Sequence, residues 1–237
     1  MERKCLLISN STLHGSGYLD HCAEEIKQFL GNKSTILFIP YARPGGITYD
    51  DYTSMATKRF EKMDISVKGI HEYSNPIDTV KNAEAIFIGG GNTFVLLSQL
   101  YKTEILTEIR KKVAQGMPYI GTSAGSNVAC KNIKTTNDMP IIHPPSFDAL
   151  NLVPFNINPH YLDPNPESKH KGETRETRIT EFHCYNTEYV VGLREGAILH
   201  VLNNNVTLKG TTGARIFQKE TDPKEYQPGD TLNFLLK

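Results

Sequence analysis

One short segment has the residue types and the spacing of a serine nucleophile. Gly121-Thr122-Ser123-Ala124-Gly125 matches the pattern Gly-x-Ser-x-Gly, in which the serine lies on a sharp turn between a strand and a helix. The apolar run before it suits the strand, and the small residues after it can begin the helix. We therefore predict Ser123 as the nucleophile and the amide of Ala124 as one hydrogen-bond donor to an oxyanion. The alternative is a Gly/Ser-rich turn without reactivity.

A second glycine-rich turn, Gly89-Gly90-Gly91-Asn92-Thr93, follows another apolar run and precedes a helical pattern. Backbone N–H groups at such a turn bind a phosphate or stabilise an oxyanion. The turn has neither the Gly-x-Gly-x-x-Gly spacing nor the lysine of a P-loop. Because strand ends of an open α/β sheet share one edge, we favour the oxyanion role and predict Gly91 as the second donor.

A serine hydroxyl needs a base to accept its proton, and histidine is the usual one. Among the eight histidines, His160 ends a short apolar run and follows a rigid proline, whereas His143 and His183 are competitors. The base needs a carboxylate to orient it. Asp138 in a polar loop and Glu195 after the run Val190–Arg194 both qualify, and their spacing does not choose between them.

Short apolar runs rich in β-branched residues alternate with amphipathic helical patterns, which is typical of a parallel sheet covered on both faces. The runs are Cys5–Ser9, Thr35–Pro40, Ile65–Ile70, Ala85–Ile88 and Tyr119–Gly121. A stretch rich in Pro, Asn and Asp follows from Asn132 to His170, and a segment of this kind inside a domain usually builds a site. A helix is predicted around Thr174–Cys184, and strands are predicted near Val190, Leu199, Val206, Ala214 and Leu232. We thus predict one catalytic α/β domain over residues 1–237, with a doubly wound, mostly parallel sheet and a C-terminal antiparallel extension.

The chain resembles peptidase E, the α-aspartyl dipeptidase family of serine peptidases, whose fold is similar to that of class I glutamine amidotransferases (flavodoxin-like). Several segments carry this resemblance jointly: Leu7-Ile8-Ser9-Asn10-Ser11-Thr12, Phe38-Ile39-Pro40, Gly89 to Phe94, Ser123-Ala124-Gly125, Thr135 to Pro140, Asn158-Pro159-His160, His170 to Arg175 and Gly192 to Gly196. Amidotransferase relatives carry cysteine at the nucleophile position, so serine there argues against that activity.

The resemblance implies hydrolysis of dipeptides that begin with an α-linked aspartate, without metal or cofactor. It implies Ser123 as nucleophile and His160 as base, and it points to both Asp138 and Glu195 for the third member. We prefer Glu195 for the direct hydrogen bond. Binding an aspartyl side chain needs a fixed cation, for which Arg175 and Arg178 are candidates, although both also fit a solvated helix face. Two other hypotheses are an esterase or peptidase of other specificity at the same Ser-His site, and a non-catalytic sensor of small anions.

Composition limits the partners. Lys plus Arg and Asp plus Glu number 26 each, so no overall field attracts a nucleic acid or an anionic membrane surface. The four scattered cysteines form no zinc pattern and suit a reducing compartment. The short apolar segment after Met1-Glu2-Arg3-Lys4 does not fit a signal sequence, so we do not expect secretion, and no apolar run in the sequence has membrane-spanning length. We expect a cytoplasmic protein that acts on a small dipeptide, and the sequence allows a homodimer.

Overall fold

The main sheet is built on five parallel strands. The computed structural model describes residues 2–164, 167 and 172–237, so His170 and Lys171 of the sequence motif lie outside the described residues. The five strands are β1 (Lys4–Ile8), β2 (Thr35–Ile39), β3 (Ser66–Gly69), β4 (Ile86–Ile88) and β5 (Tyr119–Thr122). They lie in the order β3-β2-β4-β5-β1, and each adjacent pair is parallel. The five apolar runs are therefore the strands of a parallel sheet, as predicted.

Both faces of this sheet are buried. In β1, Cys5 and Leu7 belong to one core, and Leu6 and Ile8 belong to the other, because successive side chains of a strand point to opposite faces. The Leu6 side is covered by α1 (Ala23–Leu30) and α2 (Tyr49–Phe60). The Cys5 side is covered by α3 (Pro76–Lys81), α4 (Thr93–Lys102), α5 (Ile105–Ala114) and α6 (Ala124–Ala129). This arrangement confirms the predicted doubly wound fold. No helix in the described part of the chain is both long and apolar enough to cross a membrane.

A crevice is expected where β5 and β1 lie side by side. The helix after β5 packs on the Cys5 side of the sheet, whereas the helix after β1 packs on the Leu6 side. At such a switch point the loops at the carboxyl ends of the strands diverge and leave room for a ligand. Ser123 follows β5 and Ser9 follows β1, so both residues lie at this point.

The C-terminal part of the chain contributes to two sheets. β8 (Ala197–Leu202) and β9 (Asn205–Gly210) extend the main sheet beyond β1 and are antiparallel to their neighbours. A separate sheet has the order β11-β10-β7-β6, formed by β6 (Asn156–Pro159), β7 (Val190–Leu193), β10 (Ala214–Gln218) and β11 (Thr221–Tyr226). Within it, β6 and β7 are parallel. The predicted antiparallel extension is confirmed, and it is divided between the two sheets.

The second sheet is covered by α7 (Arg175–His183), whose Ile179 and Phe182 pack with Val190 and Phe217. The strand predicted near Leu232 is reduced to an isolated antiparallel β-bridge between Thr231 and Thr207 of β9, and the amide of Leu232 donates to the carbonyl oxygen of Val206. A 3-10 helix spans Asn233–Leu236, and the last strand lies earlier in the chain. A short apolar run does not by itself distinguish a strand from a helical turn, because it is too short to show either the period of 2 or the period of 3.6 residues.

The cysteines are free, and three of them are buried. Burial raises the pKa of Cys5 and of Cys22 to about 12, and it also raises the pKa of Cys130. A thiol acts as a nucleophile only as the thiolate, so these side chains fill the core instead of doing chemistry.

Candidate active site

Ser123 lies on the sharp turn that the sequence predicts, between β5 and α6. Its backbone has φ 52° and ψ −110°, a conformation that non-glycine residues seldom adopt. The Ser123 amide donates to the carbonyl oxygen of Ile8 in β1 at 3.0 Å, which holds the turn on the sheet. A Cβ at Gly121 would collide with the backbone of Gly125, and a Cβ at Gly125 would collide with the carbonyl oxygen of Ile88. Close packing on both sides of the turn therefore explains the two glycines of the motif.

The ring of His160 lies between Ser123 and Glu195. Its Nε2 is 2.9 Å from Oγ of Ser123, and its Nδ1 is 2.7 Å from Oε1 of Glu195. An ionised carboxylate has no hydrogen to donate, so Nδ1 carries the proton and Nε2 accepts from the serine hydroxyl. The side chains of His160 and Glu195 are 40% and 48% exposed, so solvent reaches the site. The arrangement can activate the serine hydroxyl by general-base catalysis.

The base and the carboxylate come from the second sheet. His160 follows β6 and Glu195 follows β7, and these two strands are parallel neighbours whose ends lie together. The amide of His160 donates to Oγ of Ser9, and the amide of Gly196 donates to Oδ1 of Asn10. Sequence reasoning missed Ser9 and Asn10 as site residues. The signal in the sequence is that two polar residues directly follow the apolar run of β1.

Asp138 does not contact His160. Its Oδ2 accepts hydrogen bonds from the amide of Thr93 at 2.8 Å, from Oγ1 of Thr93 at 2.6 Å and from Oγ1 of Thr136 at 3.1 Å. Thr93 is the first residue of α4, where a carboxylate is stabilised by the free amides and the helix dipole. Of the two carboxylates that the sequence left open, only Glu195 therefore makes the direct hydrogen bond to the imidazole.

The glycine-rich turn after β4 reaches the nucleophile. A Cβ at Gly90 would lie 3.2 Å from Cβ and 3.7 Å from Oγ of Ser123. Gly91 has φ 146°, and a Cβ there would collide with the carbonyl oxygen of Ala42. The amides of Gly91 and Ala124 have no acceptor among the described residues, and Ala124 is the first residue of α6, where the amide has no partner within the helix. Both predicted donors are thus available to a ligand.

The two candidate arginines differ in their surroundings. Arg178 is exposed, and its Nε lies 3.6 Å from Oε2 of Glu173. Arg175 is half-buried, and burial together with the nearby charge of Arg178 lowers its pKa. Within residues 2–164, 167 and 172–237, no carboxylate pairs with Arg175. The described contacts connect neither arginine to Ser123. Arg175 can accept a carboxylate from a ligand, whereas Arg178 already has a partner.

The competing histidines make other contacts. The ring of His143 lies 5.9 Å from that of Phe147, and Nε2 of His183 lies 3.0 Å from the carbonyl oxygen of Glu188. Neither is placed to take a proton from Ser123. Among the described side chains, no group of three or more His, Cys, Asp or Glu is arranged to hold a metal ion.

Comparison with known proteins identifies relatives over almost the whole chain. The model of peptidase family S51 matches residues 5–209, a range that contains Ser123, His160 and Glu195. A protein named peptidase E from Streptomyces coelicolor is 47% identical over 231 residues, which cover 98% of this chain and 94% of the relative. A protein named probable alpha-aspartyl dipeptidase from Drosophila melanogaster is 46% identical over 238 residues, which cover 99% and 98% of the two chains.

A solved structure supports the fold. The crystal structure of a peptidase from an acI-B1 actinobacterium is similar with a TM-score of 0.76, over 98% of this chain and 97% of that chain. The two sequences are 18% identical, so this likeness concerns the fold alone.

Proposed function

The chain belongs to peptidase family S51, and from that premise we propose that it is a serine dipeptidase that hydrolyses dipeptides with an N-terminal α-linked aspartate. The observation that carries the proposal is the chain of hydrogen bonds from Ser123 through His160 to Glu195, at 2.9 and 2.7 Å. The name alpha-aspartyl dipeptidase of the Drosophila relative supports the substrate. Neither an esterase nor an anion sensor is favoured by the relatives.

Acylation is the first half of the proposed reaction. Oγ of Ser123 forms a bond to the peptide carbonyl carbon while Nε2 of His160 takes the hydroxyl proton. The negative charge that develops on the carbonyl oxygen is stabilised by the amides of Gly91 and Ala124, and the imidazolium is stabilised by Glu195. His160 then gives its proton to the leaving amine as the C–N bond breaks. An aspartyl ester of Ser123 and a free amino acid result.

Deacylation is the second half of the proposed reaction, in which water takes the place of the serine hydroxyl and the serine oxygen takes the place of the leaving amine. A water molecule attacks the ester carbonyl carbon while His160 takes one of its protons, and the same two amides stabilise the second oxyanion. The C–O bond to Ser123 breaks, and His160 returns the proton to the serine oxygen. Aspartate leaves, and the enzyme regains its starting state.

Recognition of the aspartyl side chain is assigned in this proposal to Arg175. Arg175 is half-buried and has no carboxylate partner among the described residues. A bound carboxylate would compensate the free-energy cost of burying its charge, whereas Arg178 already has an acidic partner. Arg178 is the second candidate, and its ion pair with Glu173 makes it less available.

The decisive experiment measures hydrolysis of Asp-Leu, Glu-Leu, Ala-Leu and a simple ester by the wild type and by Ser123→Ala. We expect cleavage of Asp-Leu by the wild type and a loss of at least about 1,000-fold in the variant. A fluorophosphonate probe should label the wild type and leave Ser123→Ala unlabelled. Equal cleavage of Ala-Leu and Asp-Leu would refute the aspartyl specificity, and a folded, unlabelled wild type would refute the serine mechanism.

We also propose that the enzyme works in the cytoplasm. All four cysteines are free, and Cys184 is exposed. Free thiols persist in reducing compartments, whereas oxidising compartments favour disulfides. Fractionation of cells that express the full chain tests this location.

A further inference from the structure

The hydroxyl of Tyr52 holds the peptide group that carries the Gly91 amide. It donates to the carbonyl oxygen of Gly90 at 3.1 Å, and Tyr52 is fully buried in α2. In a trans peptide the C=O and the following N–H point in opposite directions. A bond that fixes the Gly90 carbonyl therefore also fixes the direction of the Gly91 N–H, on the side away from Tyr52.

No other group in the described part of the chain fixes the peptide between Gly90 and Gly91. The amide of Asn92 donates to the carbonyl oxygen of Ala42 at 2.7 Å, and Asp138 accepts from Thr93. Those bonds hold the turn after Gly91. Among the described residues, Tyr52 alone hydrogen-bonds the peptide between Gly90 and Gly91. Rotation of that peptide is thus opposed by one hydrogen bond.

The ring of Tyr52 is itself held on several sides. Phe38 packs against it edge to face with ring centres 5.0 Å apart, and the guanidinium of Arg43 lies 5.2 Å above its centre. Tyr18 contacts it edge to face with ring centres 6.3 Å apart. A Cβ at Gly89 would collide with the Tyr52 hydroxyl, so the glycine permits the close approach. The hydroxyl consequently has a defined position relative to the turn.

The protonation state of Tyr52 suits a donor. Burial raises its pKa above the ordinary tyrosine value, and the nearby charge of Arg43 lowers it by less. The phenol therefore stays neutral at physiological pH and keeps the proton that it donates to Gly90.

We propose that Tyr52 is a positioning residue of the oxyanion hole, acting through the Gly90–Gly91 peptide on the amide of Gly91. The inference rests on the proposed acyl transfer, because an oxyanion forms only in that chemistry. A donor aimed at charge that develops in the transition state raises kcat and leaves ground-state binding almost unchanged. Loss of the Tyr52 hydroxyl should therefore lower kcat and spare KM.

The test is Tyr52→Phe, which keeps the ring and removes only the hydroxyl. We expect kcat for Asp-Leu to fall roughly 10- to 100-fold while KM changes less than about twofold. An aspartyl aldehyde, whose adduct with Ser123 imitates the tetrahedral intermediate, should bind more weakly by the same factor as kcat falls. Binding of the product aspartate should not change. Tyr101→Phe is the matched control, since it removes a similar bond to the carbonyl oxygen of Asp148 on the surface.

Unchanged kcat in folded Tyr52→Phe would overturn the inference, and so would a loss of kcat with unaltered aldehyde affinity, which would indicate a merely structural role. If Tyr52→Phe does not fold, Gly89→Ala reaches the same bond, because its added methyl group displaces the hydroxyl. That variant should also lose kcat and keep KM, and normal kcat in it would count against the inference. A wild type that cleaves no dipeptide would refute the proposed function, which is a separate result.

Discussion

The hydroxyl of Ser9 accepts a hydrogen bond from the backbone amide of His160 at 2.9 Å, although the two residues follow strands of different sheets. Ser9 follows β1 of the main sheet, and His160 follows β6 of the second sheet. The same hydroxyl donates to the carbonyl oxygen of Leu193 in β7 at 2.8 Å. Because Ser123 lies on the main sheet, this bond helps to set the distance between nucleophile and base. It also supports the positive φ of His160, which is 52°.

The first prediction concerns this junction. Ser9→Ala leaves the amide of His160 without its partner and removes one of the two hydrogen bonds to the carbonyl oxygen of Leu193, which keeps the amide of Tyr161. The unpaired amide should lower the free energy of unfolding by about 1–3 kcal/mol. A displaced imidazole should also lower kcat by about 10- to 100-fold. Denaturant unfolding and dipeptide hydrolysis measure the two effects. Ser16→Ala, which removes an exposed bond to Leu13, should change neither. Normal kcat in Ser9→Ala would contradict the positioning role.

The second prediction concerns the carboxylate beside the imidazole. Glu195→Gln keeps the size of the side chain and removes its charge, so the imidazolium loses its stabilising partner and the ring loses its tautomer preference. We expect kcat to fall by about 100- to 10,000-fold with little change in Tm, because the side chain is half exposed. Kinetics and thermal unfolding measure this. A fall in kcat below about threefold would mean that Glu195 is not the third member.

The third prediction separates Asp138 from that role. Asp138→Asn removes a charge at the start of α4 and weakens the bonds to Thr93, so the free energy of unfolding should fall by about 1–2 kcal/mol. The imidazole keeps Glu195, so labelling of Ser123 by a fluorophosphonate should continue at a rate within about tenfold of the wild type. A loss of labelling in folded Asp138→Asn, as complete as in Ser123→Ala, would assign the charge-stabilising role to Asp138 instead.

The fourth prediction concerns substrate selection. Arg175→Met removes the half-buried cation, and a lost charge-assisted hydrogen bond of about 1.5–3 kcal/mol corresponds to a fall of roughly 10- to 100-fold in kcat/KM for Asp-Leu. The slow cleavage of Ala-Leu should not change. Arg178→Met is the matched control, and it should change neither substrate by more than about threefold. An unchanged kcat/KM for Asp-Leu in folded Arg175→Met would refute the assignment of the aspartate-binding cation to Arg175.

The fifth prediction is a dependence of stability on pH. Hydrogen bonds from Arg194 lower the pKa of Asp163 below its ordinary value of 3.8. A carboxyl group whose pKa is lower in the folded state binds fewer protons there, so its stabilisation is present above the ordinary value and disappears as the pH falls through the folded value. The stability advantage of the wild type over Asp163→Asn should therefore shrink below about pH 4.

Urea unfolding of both proteins at pH 7, 5 and 3 measures that advantage. Asp222→Asn is the control, since Asp222 has no ion pair among the described residues. An advantage that is the same at all three values of pH would show that the ion pair with Arg194 does not stabilise the folded state.

The sequence by itself determined the layers of the fold and the nucleophile turn. Five apolar runs separated by amphipathic helices are typical of a parallel sheet that is covered by helices, and the structure has such a sheet in its doubly wound form. The spacing of Gly121, Ser123 and Gly125 can also be recognised in the sequence, because all three residues belong to one turn. That turn packs closely on itself and on β4, which requires glycine on both sides of the serine. The division of the C-terminal strands between two sheets was not predicted, since strand pairing joins residues that are distant along the chain.

Only the tertiary structure decided which carboxylate reaches the base. Asp138 and Glu195 are both acidic residues in loops, and 35 residues separate His160 from Glu195 along the chain. Their difference arises from the parallel pairing of β6 with β7, which brings the ends of those strands together and leaves Asp138 at the start of α4. The same holds for Ser9 and Tyr52, whose hydroxyl groups act on the backbone of distant segments. The residue type determines what chemistry a side chain can do. The distance between two side chains that are far apart along the chain is set by the packing of the two sheets.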